Sequence, residues 1–154
     1  MKLDEKNKKI LQLLQEDCRM PLTTMAKKIG LSIDATHKRM KKLKENKVFY
    51  ASVKIDPRKL GYPISTDVKI RLKDVDEKEY KRFIKYLTSH PKVHSVFTTQ
   101  GHWDLTAPMI AKDAEDLDEL FKEIRHKFKD IIASWETATN LKFYKYEYYD
   151  MTKL

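Results

Sequence analysis

From Leu3 to Glu16 the apolar positions Leu3, Ile10, Leu11 and Leu14, with Asn7, recur at helical spacing. Lys6, Lys8 and Lys9 fall on the other side. Pro21 interrupts before a shorter run, Leu22 to Ile29, whose Leu22, Met25, Ala26 and Ile29 form one face and whose successor Gly30 suits a C-cap. Leu31 turns inward and Ser32 is a suitable N-cap for a third helix reaching about Asn46. That helix buries Ala35, Met40 and Leu43 and displays Lys38, Arg39, Lys41, Lys42 and Lys44. Val48 to Ile55 is apolar and β-prone and reads as a strand or hairpin wing. Two short helices joined by a tight glycine turn, the second strongly basic, have the form of a helix-turn-helix. A three-helix core with merely solvated lysines is the plainer alternative.

Beyond the turn-rich stretch from Asp56 to Pro63 the period changes from 3.6 to 2. Ile64, Thr66, Val68, Ile70 and Leu72 alternate with polar residues as in a half-buried strand. Amphipathic helices are expected at Asp76–Ser89 and Asp113–Phe128. Strands are expected at Val93–Thr99, Trp103–Ala111 and Ile131 to about Tyr146, with Gly101-His102 as a turn. The order βαββαβ is ferredoxin-like. The fold class is therefore α+β: a winged helix-turn-helix at 1–55, a linker at 56–63, and a ferredoxin-like domain at 64–154. Two helices cover only one face of such a sheet, so an oligomer is expected.

Charge sharpens this division. Residues 1–61 carry 16 Lys and Arg against 7 Asp and Glu, whereas 62–154 carry 16 of each. A localised positive excess usually answers to a polyanion: nucleic acid first, an anionic membrane second. With 41% hydrophobic residues, 3 Gly and 5 Pro, the chain can bury a core and is not low-complexity. It has no apolar run of membrane-spanning length and no signal-peptide pattern at Met1-Lys2-Leu3-Asp4, so a soluble cytoplasmic protein is the plain reading.

Four pieces in order give a family resemblance. They are Leu3-Asp4 with Ile10-Leu11, Leu14 and Arg19; Leu22–Gly30 with Leu31-Ser32, Arg39 and Leu43; Asp56-Pro57 with Leu60-Gly61; and Gly101-His102-Trp103-Asp104. Together the chain resembles the leucine-responsive regulatory protein/AsnC family. Asn7 replaces the family's second acidic residue in helix one, Lys47 its glycine before the wing, and Gln100 and Trp103 its Thr and Tyr. The resemblance implies a winged-helix DNA reader fused to a domain that senses amino acids. It also implies dimers that assemble into tetramers or octamers.

On the third helix, Ser32 caps the start, and Ile33, Asp34, Thr36 and His37 are expected to face base edges. Lys38, Arg39, Lys41 and Lys42 suit phosphates or guanine. Arg39 has an equal claim to be a brace between helices. Gln100, Gly101, His102, Trp103 and Asp104, with hydroxyls from Thr137 or Thr139, are the candidate effector site. Here a glycine turn admits a carboxylate and Asp104 accepts from an α-ammonium group. His90 and His94 stand four apart, but Pro91 between them breaks the shared helical face and no other ligand completes a set, so no metal is expected. The single cysteine, Cys18, forms no disulfide framework or metal motif. No cofactor is expected, and no catalytic constellation can be assembled. A small enzyme on the ferredoxin-like half and a non-specific DNA coater remain as alternatives. The aromatic tail Lys142–Tyr149 reads as the end of the last strand at an oligomer contact, or as a stacking surface for single-stranded nucleic acid.

Overall fold

The computed structural model describes residues 3–154; Met1 and Lys2, inside the expected first domain, lie outside the described residues. The chain divides into two compact units, one made of Met1–Lys54 with Tyr144–Leu154, the other of Ile55–Phe143.

The first unit is built on α1 (Glu5–Glu16), α2 (Leu22–Ile29) and α3 (Ile33–Glu45). Each start has a local cause. Asp4 accepts from the Asn7 N–H at 2.8 Å, and Ser32 accepts from the Ala35 N–H at 3.1 Å, satisfying amides that a helix leaves orphaned. Gly30 ends α2 in the left-handed conformation, with φ 68°, and Leu31 N–H returns to the Ala26 carbonyl. Ile10, Leu11, Leu13, Met25, Ile29 and Leu43 form the buried core. No strand forms between Val48 and Ile55, where a wing was expected. A strand is held by its partner, and among the described residues this segment pairs with none, and Tyr50, Val53 and Ile55 are exposed.

α3 ends in an unexpected way. Val48 N–H reaches the Leu43 carbonyl and Lys47 N–H the Lys44 carbonyl, both at 3.0 Å, which is the Schellman pattern. The left-handed position belongs to Lys47, with φ 54°, and not to its neighbour Asn46, with φ −81°. A lysine thus occupies the place for which glycine is the unstrained residue.

In the second unit, a 3₁₀ turn (Pro57–Leu60) leads to β1 (Ile64–Leu72), α4 (Glu77–Ser89), β2 (Phe97–Thr98), β3 (Leu105–Thr106), β4 (Met109–Ala111), α5 (Ala114–Lys127) and β5 (Ile132–Thr139). β1 is central. It pairs antiparallel with β5 on one side and with β3 and β4 on the other, and β2 pairs with β3. β3 and β4 are one expected strand, interrupted at Ala107-Pro108 where proline has no N–H to donate. Taken together they restore the βαββαβ arrangement. Val93 bridges Met109 and His94 N–H donates to the Pro108 carbonyl at 3.1 Å, so the expected 93–99 strand follows its neighbour with a gap before β2.

The last strand stops at Thr139 rather than about Tyr146. Thr139 pairs with Thr66 and Asn140 N–H with the Ser65 carbonyl; beyond them β1 begins, after Pro63, and offers no more ladder. Val68, Ile70, Phe83, Leu87, Leu105, Met109, Ile124 and Phe128 form the core between the helices and one face of the sheet. The residues expected as the end of the second domain, Tyr144–Leu154, pack instead with the first unit.

Candidate functional site

α3 presents Ile33, Asp34, His37, Lys38, Lys41 and Lys42 to solvent, with Ser32 exposed at its cap. Ile33 is 48% exposed. Thr36, expected among the base readers, is fully buried, and its hydroxyl donates to the Ser32 carbonyl at 2.9 Å. Threonine in a helix readily bonds the carbonyl four residues back, and here that bond turns the side chain inward.

Arg39 is held. Its Nη1 donates to Asp4 Oδ2 at 2.6 Å and to Asn7 Oδ1 at 3.0 Å, so it joins α3 to the first turn of α1. The guanidinium and the Asn7 N–H hold the Asp4 carboxyl below its ordinary value of 3.8. The family's acidic residue at position 7 would neutralise Arg39 further; asparagine accepts the hydrogen bond without adding charge. Lys6, expected to point away, donates its Nζ to the Ile29 carbonyl and so caps the C-terminus of α2, where a cation is favoured. No local pattern announces this contact, because nothing in the spacing of Lys6 and Ile29 links them. Exposed Lys27, Lys28, Lys38, Lys41, Lys42 and Lys44 then leave a surface rich in cations around α3, which Ser32 caps and Arg39 ties to α1.

In the second unit the 100–104 segment closes a hairpin. Thr99 N–H donates to the Asp104 carbonyl at 2.9 Å, and the Thr99 hydroxyl to the Trp103 carbonyl at 2.6 Å. Gly101 has φ 135°, and a Cβ there would meet nothing within 4 Å. Conformation, rather than crowding, favours glycine at that position. Gln100, Gly101 and His102 are exposed and Trp103 is half-buried, edge-on to the His102 ring at 4.8 Å. Asp104 has a structural duty: its Oδ2 accepts from the Leu72 N–H at 2.7 Å, while its own N–H donates to the Ile70 carbonyl. An open depression of about 700 Å³ beside it is lined by Leu72, Asp74, Tyr80 and Thr98 as well as Asp104.

Thr137 and Thr139 do not join this group within one chain. They pair with Val68 and Thr66, on the far side of β1. At the rise of a strand they lie about 13 and 20 Å along the sheet from Leu72. Among the described residues no group of three or more His, Cys, Asp or Glu is placed to hold a metal ion. His90 Nδ1 accepts from the Lys92 N–H at 3.2 Å, and burial lowers the pKa of both His90 and His94 from the ordinary 6.5. No helix among the described residues is long and apolar enough to cross a membrane.

Residues 3–44 match the AsnC-type helix-turn-helix domain and residues 67–149 the Lrp/AsnC ligand binding domain. The HTH-type transcriptional regulator LrpA of Pyrococcus horikoshii is 34% identical over 121 residues, 77% of this chain and 82% of that protein. An AsnC family transcriptional regulator of Agrobacterium tumefaciens superimposes with a TM-score of 0.84 at 27% identity, over 94% of each chain. A transcriptional regulator of Neisseria meningitidis, solved as a complex with L-Met, superimposes with a TM-score of 0.85 over 94% of each chain, and at 18% identity speaks for the fold. The chain belongs to the Lrp/AsnC family of helix-turn-helix transcriptional regulators.

Proposed function

We propose that this regulator reads double-stranded DNA with the exposed side of α3 and acts as a dimer or larger assembly whose DNA affinity responds to an amino acid. The observation that carries the reading is the exposed set His37, Lys38, Lys41 and Lys42 on a helix capped at Ser32 and braced at Arg39. Ser32, Ile33, Asp34 and His37 lie in the N-terminal part of α3, the part that reaches base edges in a helix-turn-helix; Lys38, Lys41 and Lys42 take phosphates. Arg39 acts here as a brace, and Thr36 is left out of the contact.

One such module spans only a few base pairs, so specificity needs two, spaced by roughly 34 Å or a multiple of it. The sheet supplies a joining surface: the face opposite the core carries Phe97, half-exposed and paired with Thr106. An amino acid suits the turn at Gln100–Asp104, where backbone amides approach a carboxylate and Asp104 an ammonium group. The Neisseria regulator's complex with L-Met supports this class of ligand. Hydroxyls of Thr137 or Thr139 would enter such a site from a second copy, since one chain holds them apart.

The test is selection of bound fragments from genomic DNA, repeated with each amino acid. Discrete sites with approximate twofold symmetry, shifted in occupancy by some amino acid, are expected. Continuous protection without preferred sites makes the protein a DNA coater and sinks the specific reading. Calorimetric titration of wild type against Asp104→Asn then addresses the effector. Asparagine keeps an acceptor for the Leu72 N–H while removing the charge, so equal binding by both removes Asp104 from the ligand set.

A further inference from the structure

The match to the ligand binding domain extends to residue 149, yet Tyr144–Leu154 pack with the helix-turn-helix unit. The means is specific. Gln15 grips the backbone of Tyr149 from both sides: its Nε2 donates to the Tyr149 carbonyl at 2.9 Å, and its Oε1 accepts from the Tyr149 N–H at 2.8 Å. One helical turn earlier, Gln12 Oε1 accepts from the Met151 N–H at 3.2 Å and its Nε2 donates to the Tyr148 hydroxyl. The paired order, 15 with 149 and 12 with 151, makes the segment antiparallel to α1. Met151 then packs, partly buried, against the core of Ile10, Leu13 and Met25. Lys54 Nζ donates to the Tyr146 carbonyl at 3.2 Å and lies over that ring.

Glutamine is the one long side chain that offers both a donor and an acceptor from a planar amide, so it can pair with a backbone peptide as a neighbouring strand does. Two of them at positions i and i+3 fall on the same side of a helix. We propose that Gln12 and Gln15 form a backbone-reading seat on α1 whose occupant is the protein's own C-terminal segment. The filled seat holds α1 for its brace, through Asp4 and Asn7, on Arg39 of the recognition helix. The DNA-binding unit is thus completed by the far end of the chain, and a fragment ending near Gly61 lacks part of it. The seat itself is independent of the effector reading; only its effect on DNA rests on the function proposed above.

The experiment uses the full chain with Gln12→Ala/Gln15→Ala. Alanine has the higher helix propensity, so the substitution does not itself unravel α1. Amide exchange at Tyr149 and Met151, followed residue by residue, is expected to rise about tenfold or more, the scale of losing one to two net hydrogen bonds. Gln15→Glu, which keeps an acceptor for the Tyr149 N–H and loses the donor to its carbonyl, should retain part of that protection. DNA affinity of the double variant is expected to fall about three- to tenfold. Unchanged exchange overturns the seat. Lost protection with unchanged DNA affinity overturns its part in positioning the helix. In a mixture of labelled and unlabelled wild-type chains, NOE contacts between Met151 of one and Ile10 of another would give the seat to a second copy and overturn the intrachain occupant.

Discussion

Lys38, Arg39, Lys41 and Lys42 on α3 are all cations, but Arg39 is held by Asp4 and Asn7 while the lysines are exposed, and salt dependence can tell their proposed roles apart. The Arg39 guanidinium lies 2.6 Å from Asp4 Oδ2, with side-chain exposures of 33% and 52%. At an effective dielectric near 20 the gross attraction of such a pair is a few kcal/mol, but solvent and ordering of two side chains reduce exposed pairs to about 0.5–1 kcal/mol net. The neutral bond to Asn7 contributes about as much again. Arg39→Met keeps the apolar stem, so it should destabilise by about 1–2 kcal/mol in urea. A double-mutant cycle with Asp4→Asn should return a coupling of about 0.5–1 kcal/mol. Losing about 1 kcal/mol of helix alignment corresponds to roughly a fivefold drop in DNA affinity. The slope of log K against log salt should not move, because no phosphate contact is lost. Lys41→Ala or Lys42→Ala should instead lower the slope by about 0.9 each with little effect on stability. Fluorescence anisotropy on a selected operator, from 50 to about 200 mM salt, measures both. A slope reduced by about one in Arg39→Met would put the guanidinium on a phosphate and refute the brace.

Lys47→Gly removes a side chain from a left-handed position and should raise stability by about 1 kcal/mol in urea; a loss of stability would mean the lysine makes a compensating contact. Phe83, fully buried and 4.8 Å from the Phe128 ring, should cost about 3–5 kcal/mol when cut to alanine. A cost below about 1 kcal/mol would mean that the unit repacks around the space. Asp116 is held below its ordinary 3.8 chiefly by the Lys92 ammonium, with the Lys112 N–H assisting. A depressed carboxyl stabilises fully above the unfolded pKa and loses that contribution as pH falls through the folded one. Lys92→Met should therefore raise the Asp116 titration towards 3.8 by NMR and should cost stability at neutral pH but not below pH about 2, by the same linkage; an unmoved titration breaks the assignment.

The helices were legible because each carries its own evidence: apolar residues at the helical period, and a cap such as Ser32, Asp76 or Asp113 that bonds an amide three residues on. The alternation of β1 was equally plain. What failed was whatever depends on a partner far away in sequence. Aromatic and charged residues continue to alternate past Thr139, but a strand is only as long as the ladder beside it, and β1 begins at Ile64. Val48–Ile55 has the composition of a strand and, among the described residues, no strand to pair with. At the candidate site, the spacing placed Thr36 on the helix but could not show that its hydroxyl turns back to Ser32. The roles of Lys6, Gln12 and Gln15 rest on contacts with Ile29 and residues 148–151, which no local pattern encodes.

The central place of β1 bears on how the chain survives its own synthesis. Both of its edges are filled by segments that come later: β3 and β4 from Leu105, and β5 from Ile132. At ribosomal speeds of roughly 5–20 residues per second, the stretch between Leu72 and Ile132 takes about 3–12 seconds to emerge. Until Leu105 emerges a β-prone segment with Val68 and Ile70 on one face has both edges open, and until Ile132 emerges it still has one, the condition that invites pairing with another chain. The other face of the same strand carries Asp67, Lys69 and Arg71 in alternation. In the finished sheet Lys69 meets Glu136 at 3.6 Å across to β5, a surface pair of small value. In the nascent chain, two identical strands brought edge to edge in parallel register would oppose aspartate to aspartate, lysine to lysine and arginine to arginine. The charges that matter little to the folded protein are guards for the unfolded one.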